Sequence, residues 1–521
     1  MLKHLRWLAA FMVLGALMAV FYAPAPMVPL LYDDYLRLYS NPLLTKNGVS
    51  FDELFSFSRP LVDVLYMSAA HITGAGATGE AMLRFLHHIN IIVHALAALL
   101  LMASLARAFG TAGSSWPPFL AAFVAAVFWM LHPLQTESVT YIYQGVEAMS
   151  GMFFFAVVYA SMRYFESVAW KWSVLAVLCA VLGGGIKQTL MVAPLVVLLY
   201  DRCFVSGAFV RALRVHWRHY SLLGGALFAW FFFWGLKGDN TAGFQASDNP
   251  AHWYFFNQPA VILQYLKLVF LPVDLCFDYE WKMSRDIAAL APSIVAVAAL
   301  LGAGLYALLK CSGARAGKAW SAAAFLTGWF FITLAPSSSL YPLKDLAVEH
   351  RMYLPLAAPA AALGLGVHRL VINWLKGRFG APVVVAVAFV LLAALAGLGL
   401  GTYSRNLEYL NPRGLWEDVV RQHPRNARAL SWVAYYHAGE GRLSDALKYY
   451  RLASEVDEDP VSVLNIGRIH DKLGDRKKAL EYARKAIELN KKLVGTSKYK
   501  HTFQGEGGVK VGQTPEDLLG F

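Results

Sequence analysis

The sequence predicts an all-α protein: a polytopic membrane helical bundle of about eleven spans, followed by a C-terminal α-solenoid of tetratricopeptide repeats. Three observations lead there. Of 521 residues, 57% are hydrophobic and 15% charged, whereas about a quarter are charged in an ordinary soluble protein. The hydrophobic excess falls in blocks of about 17–25 residues, the length that crosses about 30 Å of hydrocarbon. The blocks stop near residue 403, and two segments with a common period follow.

The spans fall at 5–23, 86–107, 116–131, 146–164, 172–184, 188–200, 220–236, 288–309, 319–335, 353–371 and 381–402. The pair at 172–200 is interrupted by Gly183, Gly184 and Gly185 and could be one kinked element. The first span has Lys3 and Arg6 before it and the proline-rich "APAPMVP" after it, with no small-residue cleavage site, so it reads as retained. Lys and Arg then fix the orientation. Lys3/Arg6, Arg163/Lys171, Arg202/Arg211/Arg214/Arg218, Lys310/Arg315/Lys318 and Lys376/Arg378 all fall on one side, which is the cytoplasmic one. The formal net charge of +12 is therefore mostly topology and calls for no nucleic-acid partner. Cys179, Cys203, Cys276 and Cys311 are scattered and imply no disulfide framework.

On the opposite side lie residues 24–85, 132–145, 237–287, 336–352 and 403–521. In the first of these loops, "FDELFSFSRPLVDVLYMSAAHI" has helical spacing and reads as one or two interfacial helices. Residues 257–271 read as another interfacial or re-entrant helix. Beyond 403, Ala446 and Ala479 are 33 residues apart, as are Ala453 and Ala486, Gly441 and Gly474, and Ala434 and Gly467. Small residues repeating near every 34 positions mark tetratricopeptide repeats. The expected domains are therefore a membrane domain over 1–403, repeats over 404–492 and a flexible tail over 493–521.

Ionisable groups beside an apolar core are costly and point to function. The non-cytoplasmic span ends hold Asp33, Asp34, Arg59, His87, His88, His132, Glu137, Lys187, Asp278, Glu349, His350 and Arg351. Asp33 and Asp34 could be a helix cap, or one could be a base that the other orients. His132 and Glu137 could be a plain helix-ending turn. His94 reads as an interhelical hydrogen-bond partner, and a metal site built on His87, His88 and His94 would lack a further ligand. "GGGIKQT" is not a phosphate loop, because Gly-Lys-[Ser/Thr] is missing and no strand precedes it. Lys187 at a helix start and Arg351 at a span entrance suit a lipid phosphate, against the plainer reading of structural ion pairs.

In chain order the motifs are "DDY", "RPL" (59–61), "HHINIIVHAL" (87–96), "HPLQTESVTYI" (132–142), "IKQTLMVAPLVVLLYD" (186–201), "QYLKLVFLPVDLCFDYEW" (264–281), "AVEHRMYLPLA" (347–357) and "RNLEYLNPRGLWEDVVRQHPRNARA" (405–429). This series resembles the transmembrane and tetratricopeptide-repeat protein O-mannosyltransferases and their bacterial relatives, of the GT-C class of glycosyltransferases. It departs from them at Lys187-Gln188, where the family has Lys-Glu, at Glu349-His350-Arg351, where it has Ala-Glu-Arg, and in its short repeat domain.

The resemblance implies a sugar donor on a polyprenyl phosphate, a first-loop acid as catalytic residue (Asp34 taken first, Asp33 second) and cations at the leaving phosphate (Arg351, Lys187, Arg59). It implies a substrate pocket lined by His132, Glu137, His88, Glu349 and His350, and inverting displacement. The acceptor would be a protein or glycan hydroxyl, received through the repeats. No organic cofactor is called for, and the need for a divalent cation is left open. The expected setting is a bacterial inner membrane, with the active face and repeats in the periplasm. A non-catalytic envelope scaffold would need none of these charges. A polyprenyl-linked glycan flippase or polymerase would carry them along a transmembrane path rather than at one face.

Overall fold

The computed structural model describes residues 2–39, 42–45, 59–74, 79–110, 116–233, 250–311, 318–493 and 514–519. Helices account for nearly all regular structure among them. The first is α1 (Leu2–Phe21), followed after the first loop by α2 (Pro60–Thr73), α3 (Glu80–Phe109) and α4 (Trp116–Met130). The short α5 (Thr136–Thr140) precedes α6 (Gly145–Ser167) and α7 (Trp170–Gly184). Then come α8 (Ala193–Tyr200), α9 (Phe209–Val215), α10 (Trp217–Phe233), α11 (Ala251–Phe270) and α12 (Ile287–Lys310). The membrane set closes with α13 (Lys318–Leu334), α14 (Ala357–Leu375) and α15 (Ala381–Tyr409).

A helix lies at each of the eleven expected spans. By length and composition six segments among the described residues can cross a membrane, or up to seven if the bent pair Trp116–Met130 and Pro133–Thr140 is one span. The expected count of eleven is larger because it includes shorter apolar helices such as Trp170–Gly184, with 15 residues. At about 1.5 Å per residue such a helix falls short of a bilayer core about 30 Å thick. The break at Gly185–Lys187 separates α7 from the segment Gln188–Val205, which is apolar and long enough by itself. The expected 257–271 element is the C-terminal part of α11, which buries Asn257, Gln258, Val261, Ile262 and Tyr265. Of the expected interfacial helices in the first loop, α2 is present, while residues 46–58 lie outside the described residues.

The bundle centre is formed by α3, α4, α6 and α14. Tyr353, just before α14, ties them together. Its hydroxyl meets His94 Nδ1 of α3 at 2.9 Å, and its carbonyl accepts Trp129 Nε1–H of α4 at 2.9 Å. His94 Nε2 lies 3.1 Å from the Met130 carbonyl, so the ring is the interhelical partner expected of it. Gly151 of α6 lets the Tyr353 ring approach; a Cβ there would collide with Cε1. Gly151→Ala is accordingly expected to destabilise the bundle by about 1–3 kcal/mol, the usual cost of overpacking. Thermal unfolding in detergent checks this, and an unchanged midpoint would show that the ring yields freely.

Beyond the membrane set, α16 (Pro412–Gln422) leads into the helix pairs α17 (Ala427–Gly439)/α18 (Leu443–Val456) and α19 (Pro460–Lys472)/α20 (Arg476–Leu493). The small residues read from the period stand where helices cross: Ala434, Ala446, Ala453, Ala479 and Ala486 are fully buried. Gly441 and Gly474 take left-handed backbone at φ +77° and +82°, which turns each pair without a side-chain clash. The five-residue helix α21 (Pro515–Leu519) sits on the second pair, with Leu518 buried against Val463, Leu464, Ala483 and Ala486.

Candidate active site

The first loop leaves Leu31 extended and enters one helical turn, Tyr32–Asp34, then a wider turn, Tyr35–Tyr39. Neighbouring residues on a turn point about 100° apart, so the two acids part company. Asp34 is fully buried. Its Oδ2 accepts the Leu31 N–H at 2.9 Å and its Oδ1 accepts the Tyr143 N–H at 2.8 Å. Asp33 is only partly buried. Its N–H donates to Tyr141 Oη at 2.5 Å, and among the described residues its Oδ2 receives only a long bond, 3.4 Å, from Gln144 Nε2. Burial raises both carboxyls above the usual Asp value. For Asp34, well above it, the two backbone N–H groups oppose the rise; for Asp33, Asp345 adds to it while Arg37, Arg428 and Lys344 oppose it.

Opposite the first loop, Glu137 on α5 grips His350 twice, taking its backbone N–H at 2.9 Å and facing Nδ1 at 2.7 Å. His350 Nε2 lies 3.9 Å from Glu147 Oε1, and Glu147 is ion-paired with Lys187. A continuous chain thus runs Glu137–His350–Glu147–Lys187. Arg351 donates to the Leu346 carbonyl at 2.9 Å and the Asp345 carbonyl at 2.7 Å. Both acceptors are uncharged carbonyls, and the Asp345 and Glu147 carboxylates act on the guanidinium electrostatically.

Of the other expected residues, Arg59 acts electrostatically on Glu147 and Lys187, while His132 and His88 stand apart from this group. Arg59 precedes α2 and donates to Tyr143 Oη at 2.7 Å, with its guanidinium 5.3 Å from the same ring. His132 is buried, with Nε2 3.0 Å from the Val269 carbonyl and Nδ1 accepting the Leu134 N–H, which makes it the cap of a helical turn. His88 is exposed on α3 and bonds the Arg84 carbonyl of its own helix.

Glu349 is buried and accepts from the Cys276 N–H at 2.7 Å and the Tyr279 hydroxyl at 2.8 Å. Burial pushes it from 4.5 up to about 7, against the pull of Arg405. The raised value means that the folded protein holds this proton more tightly than the unfolded chain. The resulting stability is complete below about pH 4.5 and is lost as pH rises through about 7. Glu349→Gln is expected to flatten the melting midpoint against pH over that window; an unaltered slope would assign the slope to other groups.

Glu147, Gln144, Asp345 and Arg428 were not singled out from the sequence. Glu147 carries a readable signal, a lone acid inside an apolar run. The other three sit in polar segments with nothing to mark them. Among the described residues no group of three or more His, Cys, Asp or Glu is arranged to hold a metal ion.

The tetratricopeptide-repeat family model matches residues 462–493. Over 152 residues the chain is 26% identical to the Protein O-mannosyl-transferase Tmtc3 of Drosophila melanogaster, a stretch covering 28% of this chain and 15% of that protein. It is 31% identical over 110 residues to the Photosystem I assembly protein Ycf3 of Rippkaea orientalis, covering 19% of this chain and 64% of that one. The chain thus spans 15% and 64% of the lengths of these two relatives. Among solved structures, ArnT from Cupriavidus metallidurans, bound to undecaprenyl phosphate, aligns with a TM-score of 0.43 at 14% identity, covering 82% of this chain and 80% of that one. The resemblance carried by the motif series is thus met by similarity to one O-mannosyltransferase and by the repeat match.

Proposed function

We propose that this protein is a membrane glycosyltransferase of the GT-C class, moving a sugar from a polyprenyl-phosphate carrier to a protein or glycan hydroxyl on the non-cytoplasmic face. The observation that carries the reading is the approach of two separate segments, the first loop with Asp33 and residues 345–351 with His350 and Arg351, bridged by Arg428, which lies 3.0 Å from Asp345 Oδ1 and 5.5 Å from the ring of Tyr32. Asp33 is the base. Its carboxylate has oxygen to spare, and burial makes it more basic than an ordinary Asp, which suits removal of a hydroxyl proton. Asp34, with a backbone N–H on each oxygen, orients the turn that presents Asp33. This reverses the order taken from the sequence, and the hydrogen bonding is what supports the reversal.

In the transfer step the acceptor oxygen bonds to the anomeric carbon while the carbon–oxygen bond to phosphate breaks. The acceptor proton passes to Asp33, and the polyprenyl phosphate leaves with the bonding pair. Arg351 meets the charge that develops on the phosphate. Lys187 stands behind it, its own charge balanced by Glu147. The test is mass spectrometry of envelope proteins and glycolipids from a deletion strain and its parent. A sugar missing from the deletion strain and restored by the wild-type gene is the expected result; identical profiles would remove the reading.

The sidedness has its own test. Lys448 on α18 and Ala208 before α9 are both exposed, and the four native cysteines are buried. Lys448→Cys is expected to react with a membrane-impermeant thiol reagent on spheroplasts, and Ala208→Cys only after lysis. The reverse pattern would place the repeats in the cytoplasm.

A further inference from the structure

The segment joining the membrane domain to the repeats does more than connect them. Asn426 caps α17, its Oδ1 accepting the Ala429 N–H at 2.8 Å, and its Nδ2 donates to the Asp278 carbonyl at 3.1 Å. Four residues earlier, Gln422 Nε2 bonds the Leu275 carbonyl at 3.3 Å. Between these docking points and the bundle lies Arg428. One arm of its guanidinium is 3.1 Å from Asp278 Oδ2 and the other 3.0 Å from Asp345 Oδ1, and its centre lies 5.5 Å from the Tyr32 ring. One cation on the first repeat helix therefore meets three separate loops: the one carrying Asp33, the one after α11, and the one before Arg351.

The third contact has a consequence. Asp345 uses its carboxylate on Arg428 and its main-chain carbonyl on Arg351. The next residue, Leu346, gives its carbonyl to the other arm of Arg351. The frame that aims Arg351 is thus pinned from outside by a repeat residue that does not itself bond Arg351.

We propose that Arg428 is a positioning residue, holding Asp345 so that residues 345–346 aim Arg351 at the donor phosphate, and that this ties the first repeat to the active face. The proposal rests on Arg351 being the donor-phosphate cation. The fork geometry matters, because two carboxylates on different loops are bridged by a planar guanidinium with two arms and not by the point charge of a lysine. Asp33 is tied in through the same cation, since Tyr32 lies under Arg428 and Asp33 follows it in the chain.

The test uses the full chain in lipid nanodiscs, as wild type, Arg428→Ala, Arg428→Lys, Asp345→Asn and Arg351→Ala. Hydrogen exchange of peptides covering 343–352 is read first, without any lipid phosphate. Arg428→Ala and Arg428→Lys are expected to speed it by at least about tenfold, as loss of a part-buried charge pair should. Peptides covering 460–493 should keep wild-type protection. Asp345→Asn, which leaves the repeats intact, should give the same acceleration. Unchanged exchange at 343–352 in the Arg428 variants with folded repeats, or in Asp345→Asn should Arg428→Ala unfold them, overturns the proposal.

Binding of undecaprenyl phosphate is then measured on the same samples. Arg428→Ala should weaken it, and the double variant with Arg351→Ala should be no weaker than Arg351→Ala alone. Additive losses overturn the coupling. If Arg351→Ala binds the lipid as wild type does, the donor-phosphate reading falls, while the exchange data still decide whether Arg428 holds the frame.

Discussion

Asp33→Asn is expected to reduce sugar transfer by about 10²–10⁴-fold, the usual contribution of a positioned base, with little change in thermal stability. Among the described residues its Oδ2 receives a single long bond, so the amide removes basicity and disturbs little else. Asp34→Asn should behave differently. Both Asp34 oxygens accept a backbone N–H in a fully buried site. An amide supplies one acceptor and turns an N–H toward the other donor, leaving it unpaired at a cost of about 1–3 kcal/mol. Activity then falls together with the melting midpoint. Transfer rate and unfolding, measured side by side on both variants in reconstituted membranes, separate base from anchor. Wild-type transfer by Asp33→Asn would sink the assignment.

Arg351→Ala is expected to weaken use of the donor while sparing the acceptor. A charge-assisted contact to phosphate is worth about 1.5–3 kcal/mol, or roughly 10–150-fold in donor dependence. Initial rates against polyprenyl-phosphate sugar at saturating acceptor report it. Lys187→Ala makes an instructive control. It takes from buried Glu147 its nearest cation and leaves it the more distant His350 and Arg59, so its main effect is lower stability rather than a selective loss at the donor. Unchanged donor dependence in Arg351→Ala would return Arg351 to a purely structural part.

The membrane helices and repeats were legible because burial in lipid and helix crossing each impose a period on the chain. Eleven apolar runs became helices, and the alanines 33 residues apart are the ones that vanish into the solenoid core. The polar wiring was far less legible. Asp33 and Asp34 are the same residue type in adjacent positions, and only the N–H groups of Leu31 and Tyr143 distinguish them. Tyr143 is more than a hundred positions away, and no local pattern announces it. Glu137 and His350, read as pocket residues, are a bonded pair 213 residues apart in the chain, whereas His88 and His132 turn to helix carbonyls. Nothing in the sequence sets Arg428 apart from the other charges of the repeats. Its importance comes from which loops arrive beside it.

α15 runs unbroken from Ala381 to Tyr409, through the residue where the hydrophobic composition ends. Near its end, Thr402 donates to the Leu131 carbonyl, and Asn406 bonds both Thr140 and the Phe21 carbonyl. The repeats therefore leave the bundle on a rod locked in azimuth, and the azimuth is part of the specification. One residue inserted into the last turn of α15, after Asn406, need not disturb the repeats internally, but within that helix it turns everything downstream by about 100° and advances it about 1.5 Å. A chimera carrying a foreign solenoid would have to match that phase, and a graft spliced by sequence alone could carry every residue of the site yet point its first helix away from the loops it must meet.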